Sequence, residues 1–289
     1  MAVILITGAK GQLGSEIREL SASFCGYDFI FTDIDELDIT DPVGCTDYIA
    51  KVKPGWIVNC AAYNTVDKAE TEPDRAMLIN RTAVKNITGA IKGSECLFIH
   101  VSTDYVFSGN ANIPYNELVV PDPATSYGKS KLEGEKAALM HNHTMVIRTS
   151  WLYSAYGSNF VKTILSKAKE NDTLRVVFDQ VGSPTWAADI AGAIMSIISS
   201  VIRNQAAFTA GIYHYSNEGV CSWYDFATAI VEEAGLNCKV HPILSSEFKS
   251  AAKRPSYSVL DKSKIKDNYN LDIPHWKESL KKCLEQMKY

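Results

Sequence analysis

The sequence predicts an α/β chain, a Rossmann-like doubly wound parallel sheet with a smaller C-terminal α/β substrate lobe. Three observations predict it. Short runs that are apolar almost throughout alternate with helical patterns over the first 150 residues, as strands buried on both faces of a parallel sheet do. A glycine-rich turn follows the first run at once and opens a helix. After Ser150 the alternation loosens, and Pro184, Pro242, Pro255 and Pro274 fall in the loops. No repeat, low-complexity tract or long linker separates independent domains, so the later elements are expected to fold against the sheet.

Taken in order, "AVILITG" reads as a strand and "GQLGSEIRELSASF" as a helix with Ile17 and Leu20 on one side. "YDFIFTD" is a strand, "DPVGCTDYIAKV" a helix and "GWIVNCAA" a strand. A helix through "PDRAMLINRTAVKNITGAIKG" leads to the strand "CLFIHVS", and the helix around Tyr127 precedes the strand "TMVIRTS". Further helices are expected at "NFVKTILSKAKEN", across 186–203, at "SWYDFATAIVEEAG" and from His275 onward, with strands at "LRVVFD" and "GIYHYS". Residues 1–152 and 186–216 are assigned to the nucleotide-binding domain, and 153–185 and 217–289 to the substrate lobe.

Composition limits the function classes. The 289 residues are 46% hydrophobic and 21% charged, an ordinary globular balance. A formal charge of −4 gives no basic excess, which argues against nucleic acid or an anionic membrane as partner. Seven scattered cysteines without a Cys-x-x-Cys pair fit a reducing compartment and argue against a zinc site. The start lacks the basic segment and cleavage site of a signal peptide. The longest apolar stretch, 190–202, is shorter than the about 20 residues a bilayer requires. A cytoplasmic protein is the expectation.

Gly8-Ala-Lys-Gly11-Gln12-Leu13-Gly14 lies between strand and helix. Glycine allows the tight turn and lets backbone approach a pyrophosphate, and the N–H groups of the helix start face its charge. That context, more than the G-x-x-G-x-x-G spacing, points to a dinucleotide. Asp33 ends the second strand 19 residues beyond Gly14, where a carboxylate accepts from ribose hydroxyls, although it also suits a cap in the acidic loop "DIDELDITD". Its charge favours NADH over NADPH, and nearby Lys10 offsets that, so both cofactors stay open. Asp38 and Ile39 follow, along the expected adenine.

"VSTDYVFSG" places Ser102, Thr103 and Asp104 at the carboxyl end of a strand, the edge beyond which ligands lie in an open parallel sheet. A hydroxyl there can meet a substrate carbonyl or merely cap a turn. In "PATSYGKSKLEGEKAALM", Thr125 or Ser126 suits a helix cap, and Tyr127 and Lys131, four apart, share a face while Lys129 does not. A neighbouring ammonium stabilises a phenolate and lowers the phenol's pKa, which would suit tyrosine to acid–base work. Tyr-x-x-x-Lys alone is common; with a dinucleotide turn and a strand-end hydroxyl it becomes specific. His141 and His143 read as solvated, and Trp223, Tyr224 and Phe226 as core aromatics.

These motifs, with "VNCAAYNTVDKAE", "RTSWLY", "DQVGSPT" and "RPSYSVLD", resemble the dTDP-4-dehydrorhamnose reductase family of the extended short-chain dehydrogenase/reductase superfamily, from Ala2 to about Leu260. The resemblance implies an NADPH- or NADH-dependent reduction of the C4 ketone of dTDP-4-dehydro-β-L-rhamnose, giving dTDP-β-L-rhamnose for cell-surface polysaccharide. It implies Tyr127 as proton donor, Lys131 as the residue that lowers its pKa and holds the nicotinamide ribose, and Thr103 as the hydroxyl beside the ketone. Gly8, Gly11, Gln12, Leu13, Gly14, Asp33, Asp38, Ile39, Ala61, Ala62 and Tyr63 match cofactor positions. Asp104 and Trp151 match positions near the sugar nucleotide, and Arg254 suits its diphosphate. Cys60 and Tyr63 depart from the family's frequent alanine and histidine. A homodimer and a pairing Mg2+ are compatible with the family, but no magnesium ligands can be placed. An epimerase or dehydratase of the same superfamily, or a non-catalytic regulatory homologue, remains an alternative.

Overall fold

The computed structural model describes residues 2–287. Five strands, β1 (Ala2–Thr7), β2 (Tyr27–Thr32), β3 (Trp56–Asn59), β4 (Leu97–Thr103) and β5 (Thr144–Thr149), come from the first half of the chain. Between and around the later helices run the short strands β6 (Leu152–Tyr153), β7 (Thr173–Val177), β8 (Val181–Gly182) and β9 (Thr185–Trp186). These are followed by β10 (Gly211–His214), β11 (Cys221–Ser222), β12 (Lys239–Ile243) and β13 (Tyr257–Ser258). The main sheet has the order β2-β1-β3-β4-β5-β10, and every pairing in it is parallel. The strand order reverses at β1 and β3, so a crevice opens beyond their carboxyl ends.

Helices α1 (Gln12–Ser21), α2 (Pro42–Val52), α3 (Val66–Thr71), α4 (Pro73–Met77), α5 (Ala83–Ala90) and α6 (Ser126–Ala138) belong to the first half. Then come α7 (Phe160–Glu170), α8 (Ala187–Ile202), α9 (Trp223–Glu233), α10 (Ser263–Tyr269) and α11 (Trp276–Gln286). One face of the sheet packs on α1 and α8 through Ile4, Ile6, Ile17, Val58, Ile190 and Ile194, and the other on α2 and α5 through Leu5, Ile57, Ile49, Val84 and Ile87. Such two-sided burial explains why the strands read as unbroken apolar runs. A separate core, with Val161, Leu165, Phe226, Ile230, Leu280 and Cys283, joins α7, α9 and α11. Among the described residues no helix is long and apolar enough to cross a membrane.

Three local expectations are corrected. The helix expected across 73–93 is broken: a π-helical turn, Leu78–Thr82, separates α4 from α5. Nothing in the apolar spacing signals it. Second, β12 pairs in parallel with β7, a strand unread in the sequence because "KVHPI" alternates poorly and contains proline. Third, His141 is buried, and its ring nitrogen bonds the Cys96 carbonyl at 2.7 Å. Only its neighbour His143 reaches solvent, beside Glu95.

Helix α6, which carries Tyr127 and Lys131, is seated by buried charge. Glu135 accepts from Arg148 Nε at 2.9 Å and Nη2 at 2.7 Å, and from the Ser102 hydroxyl at 2.5 Å. Arg148 and Glu135 are almost fully enclosed. Arg148→Met should therefore cost about 3–5 kcal/mol by stranding the Glu135 carboxylate, whereas Arg148→Met/Glu135→Leu should recover most of that loss. Urea unfolding midpoints at constant slope check it.

Candidate active site

A groove of about 460 Å3 occupies the crevice beyond β1, β2 and β3. Gly8, Gly11, Asp33, Asp38, Ile39, Ala61 and Ala62 line it, with Thr7, Lys10, Cys60 and Asn64. Gly8 has φ +67, and a Cβ on it would lie 2.5 Å from the Ala61 nitrogen. Only glycine lets β1 turn this close to the segment after β3. Gly11 is the N-cap of α1 and no side chain caps that helix start, which leaves first-turn N–H groups for an anion. These residues fit the pyrophosphate of a dinucleotide.

The end of the groove beside Asp33 is acidic and self-braced. Asp33 accepts from the backbone N–H of Lys10 at 2.9 Å and of Ile34 at 2.9 Å, so it also serves as the loop cap. The Lys10 ammonium is engaged by Asp35 at 2.5 Å, with Glu36 at 3.9 Å. Beneath the groove the Thr7 hydroxyl donates to Asn59 Oδ1 at 2.6 Å, and the Asn59 amide meets His100 Nδ1 at 3.0 Å. Burial pushes the Cys60 thiol up to about 12, which keeps it unreactive.

Not every motif residue faces this groove. Leu13 is in the core between sheet and helices and Gly14 is buried in α1. The Gln12 side chain accepts from Asn159 at the start of α7. Tyr63 turns its hydroxyl to Glu72 at 3.0 Å and packs with Tyr127, Ala69 and Ala76.

Thr125 caps α6 by accepting from Gly128 N at 3.0 Å, and that start aims Tyr127 and Lys131 inward while Lys129 is exposed. The Tyr127 hydroxyl donates to Asn64 Oδ1 at 3.4 Å, and its ring meets Tyr105 edge-on at 5.4 Å. Thr103 ends β4, and its hydroxyl accepts from Tyr105 N at 3.3 Å and donates to Asp104 Oδ1 at 3.0 Å. Lys131 Nζ donates to the Val101 carbonyl at 2.7 Å. Thr103, Tyr127 and Lys131 thus gather at one sheet edge. Asn64, exposed and within the stretch "VNCAAYNTVDKAE" but given no role from the sequence, joins the phenol to the groove.

The electrostatics differ from the expected lowering of the phenol. Burial pushes Tyr127 above its ordinary value, the Thr103 hydrogen bond opposes this, and the Asp104 charge adds to it. Lys131 is itself lowered to about 8, by burial against the raising effect of Glu135. A phenol so placed keeps its proton, the state from which a proton donor starts.

The residues matched to the sugar nucleotide surround this edge. Arg254 is paired with Asp67 at 2.5 Å and donates to the Tyr105 hydroxyl at 3.2 Å. Trp151 adopts φ +49 and stacks on Trp223 with ring centres 3.6 Å apart, and both pack against the second core, where Trp223 was expected. Phe226 is fully buried, and Tyr224 on the same helix is half-buried. Among the described residues no group of three or more His, Cys, Asp or Glu is arranged to hold a metal ion.

The profile of the RmlD substrate binding domain family matches residues 1–289. The chain belongs to this family. Its relatives include the dTDP-4-dehydrorhamnose reductase of Aggregatibacter actinomycetemcomitans, 40% identical over 97% of this chain and 98% of that protein. The spore coat polysaccharide biosynthesis protein SpsK of Bacillus subtilis is also 40% identical, over 99% and 98%. Among solved structures, the Bacillus anthracis dTDP-4-dehydrorhamnose reductase in complex with NADP superposes with a TM-score of 0.93 at 38% identity, covering 99% of this chain and 100% of that one. The UDP-glucose 4-epimerase of Thermus thermophilus shares the fold alone, with a TM-score of 0.78 at 17% identity. RmlD-family membership thus agrees with the parallel sheet, the glycine turn and the Tyr127–Lys131 helix face.

Asp104 is 4% exposed, and its Oδ2 has no hydrogen-bond partner. Burial raises it to about 6, against the hydrogen bond from Thr103. With the folded value above the unfolded one, its favourable contribution is complete below the unfolded pKa of 3.8 and is lost as pH rises through about 6. Asp104→Asn should therefore stabilise the protein at pH ~7.5 by up to roughly 3 kcal/mol, a gain that fades toward pH ~4. Thermal melts across that range measure it.

Proposed function

We propose that this chain reduces the C4 ketone of dTDP-4-dehydro-β-L-rhamnose to dTDP-β-L-rhamnose, in the cytoplasm, for rhamnose-containing cell-surface polysaccharide. The observation that carries the reading is the convergence of Thr103, Tyr127 and Lys131 at the carboxyl edge of β4, with the Tyr127 phenol joined through Asn64 to the dinucleotide-shaped groove. Relatives at 40% identity that carry the reductase name support it, as does the related structure with NADP.

The glycine turn and the uncapped start of α1 would hold the pyrophosphate of NADPH or NADH, and Asp33, Asp38 and Ile39 its adenosine. Bound there, the cofactor supplies a hydride to the sugar C4. Tyr127 delivers its proton to the C4 oxygen, Thr103 orients that oxygen by hydrogen bonding, and Lys131 holds the nicotinamide ribose and balances charge near the phenol. Arg254, released from Asp67, meets the diphosphate, with Asp104 and Trp151 beside the sugar. Residues 1–152 and 186–216 then act as the cofactor domain, and 153–185 and 217–289 as the substrate lobe.

The test supplies dTDP-4-keto-6-deoxyhexose after 3,5-epimerisation, follows NADPH and NADH oxidation, and identifies the product by NMR. Stoichiometric oxidation with formation of dTDP-β-L-rhamnose is expected. Turnover without net oxidation would instead indicate epimerisation or dehydration. Tyr127→Phe should lower kcat by about 100- to 10,000-fold while leaving cofactor affinity, read by nicotinamide fluorescence, near wild type.

A further inference from the structure

The segment between β12 and β13 carries Arg254 and is fastened at both ends. Near its start, Ser245 donates from its backbone N–H and its hydroxyl to Asp179, and Glu247 pairs with Arg175 at 2.5 Å. Near its end, Pro255 lies against Gly109, where φ is +77 and a Cβ would come within 2.6 Å of the proline ring. The Tyr257 N–H also donates to the Gly109 carbonyl at 2.9 Å. Between these fastenings Asp67, in the first turn of α3, takes hold of the segment twice. Its Oδ1 accepts from the Ala252 N–H at 3.0 Å and its Oδ2 from Arg254 Nη2 at 2.5 Å. The guanidinium also donates through Nη1 to the Tyr105 hydroxyl at 3.2 Å. Asp67 follows Asn64 by three residues, so one stretch of chain touches the phenol, the groove and this arginine.

We propose that Asp67 is a specificity-determining residue: it occupies Arg254 as an internal stand-in for the substrate's diphosphate, and a ligand must displace it to be held. This deepens the reductase reading and rests on it. The Arg254 side chain is only 26% exposed, so without an anion beside it the charge would be poorly solvated. Asp67 supplies that anion with limited grip. One of its oxygens is used by the Ala252 N–H, so it meets the planar guanidinium through the other alone. A diphosphate can engage two guanidinium N–H groups with two oxygens and brings more charge. The exchange of partners therefore favours a diphosphate and disfavours a weaker anion. The displaced carboxylate, 44% exposed, has water to return to. Arg254, Tyr105, Thr125 and Lys253 line a cleft with room of about 10 Å3, enough for one water molecule. A diphosphate thus enters it as the segment holding Arg254 shifts. Lys253, exposed in the same cleft, adds a second cation.

The test uses the full-length enzyme with Asp67→Asn, Arg254→Ala and the Asp67→Asn/Arg254→Ala pair. Asparagine keeps an oxygen for the Ala252 N–H but turns donors toward the guanidinium, so the segment stays seated and Arg254 is freed. Thymidine diphosphate, titrated calorimetrically with NADH bound, should bind Asp67→Asn about 3- to 10-fold tighter than wild type. The sugar-nucleotide KM should fall by the same factor with kcat no higher, because the product carries the same diphosphate. Arg254→Ala should bind thymidine diphosphate at least about tenfold more weakly than wild type. Adding Asp67→Asn to Arg254→Ala should change that affinity by less than about twofold, and the NADH Kd should stay within about twofold throughout. Unchanged or weaker binding by Asp67→Asn would mean that the carboxylate merely holds the arginine in place. A gain that survives in the pair would mean general charge repulsion. Either result, or a matching change in the NADH Kd, overturns the proposal. Absence of turnover in the wild type counts against the reductase reading instead. The exchange of partners is then judged with inorganic pyrophosphate, expected to bind Asp67→Asn at least about threefold tighter than wild type; equal binding refutes it.

Discussion

The Glu135 carboxylate is the constraint on which the site depends. It binds Ser102 at the end of β4 and Arg148 on β5 from a position on α6, so three elements that carry or flank Thr103, Tyr127 and Lys131 share one buried anchor. Removing two charges from water offsets most of what their attraction returns, so such a pair defines geometry more than it stabilises the fold. The anchor also has an electrostatic role. Lys131 lies one helical turn before Glu135, whose charge opposes the lowering that burial imposes on the ammonium. A positive group can thus remain in a place with little solvent.

The sheet was legible because its strands are buried on both faces, and burial of that kind writes itself as uninterrupted Ile, Leu and Val. The glycine turn was legible for a local reason, since Gly8 must adopt a positive φ against the segment at Ala61. Thr103, Tyr127 and Lys131 could be picked out because a strand end and a four-residue helical spacing fix where side chains point. Asn64 and Asp67 left no comparable trace: each matters through a partner 63 or more residues away. The sign of the Tyr127 shift was equally hidden. A lysine four residues on is visible in sequence, but the enclosure that raises the phenol is produced by tertiary packing.

Contacts between the sheet and the second core are polar as well as apolar. Ser154 donates to buried Glu16 at 2.6 Å, and Asn159 donates to Gln12 at 3.0 Å while capping α7. Both acceptors lie on α1, whose N-cap Gly11 lines the groove. The helix that would meet the pyrophosphate is therefore tied directly to the segment that leads into α7. Arg254 makes the reverse connection, reaching from a late loop to Asp67 on α3.

Trp151 occupies a left-handed backbone conformation that costs a non-glycine residue roughly 1–2 kcal/mol. Its indole nevertheless lies nearly flat on that of Trp223, at an angle of 9°. Two chromophores at this separation couple their excited states, and the resulting near-ultraviolet circular dichroism depends on their mutual orientation. One belongs to the segment just after β5 and the other starts α9, so the molecule contains an intrinsic optical gauge of how the two parts are docked.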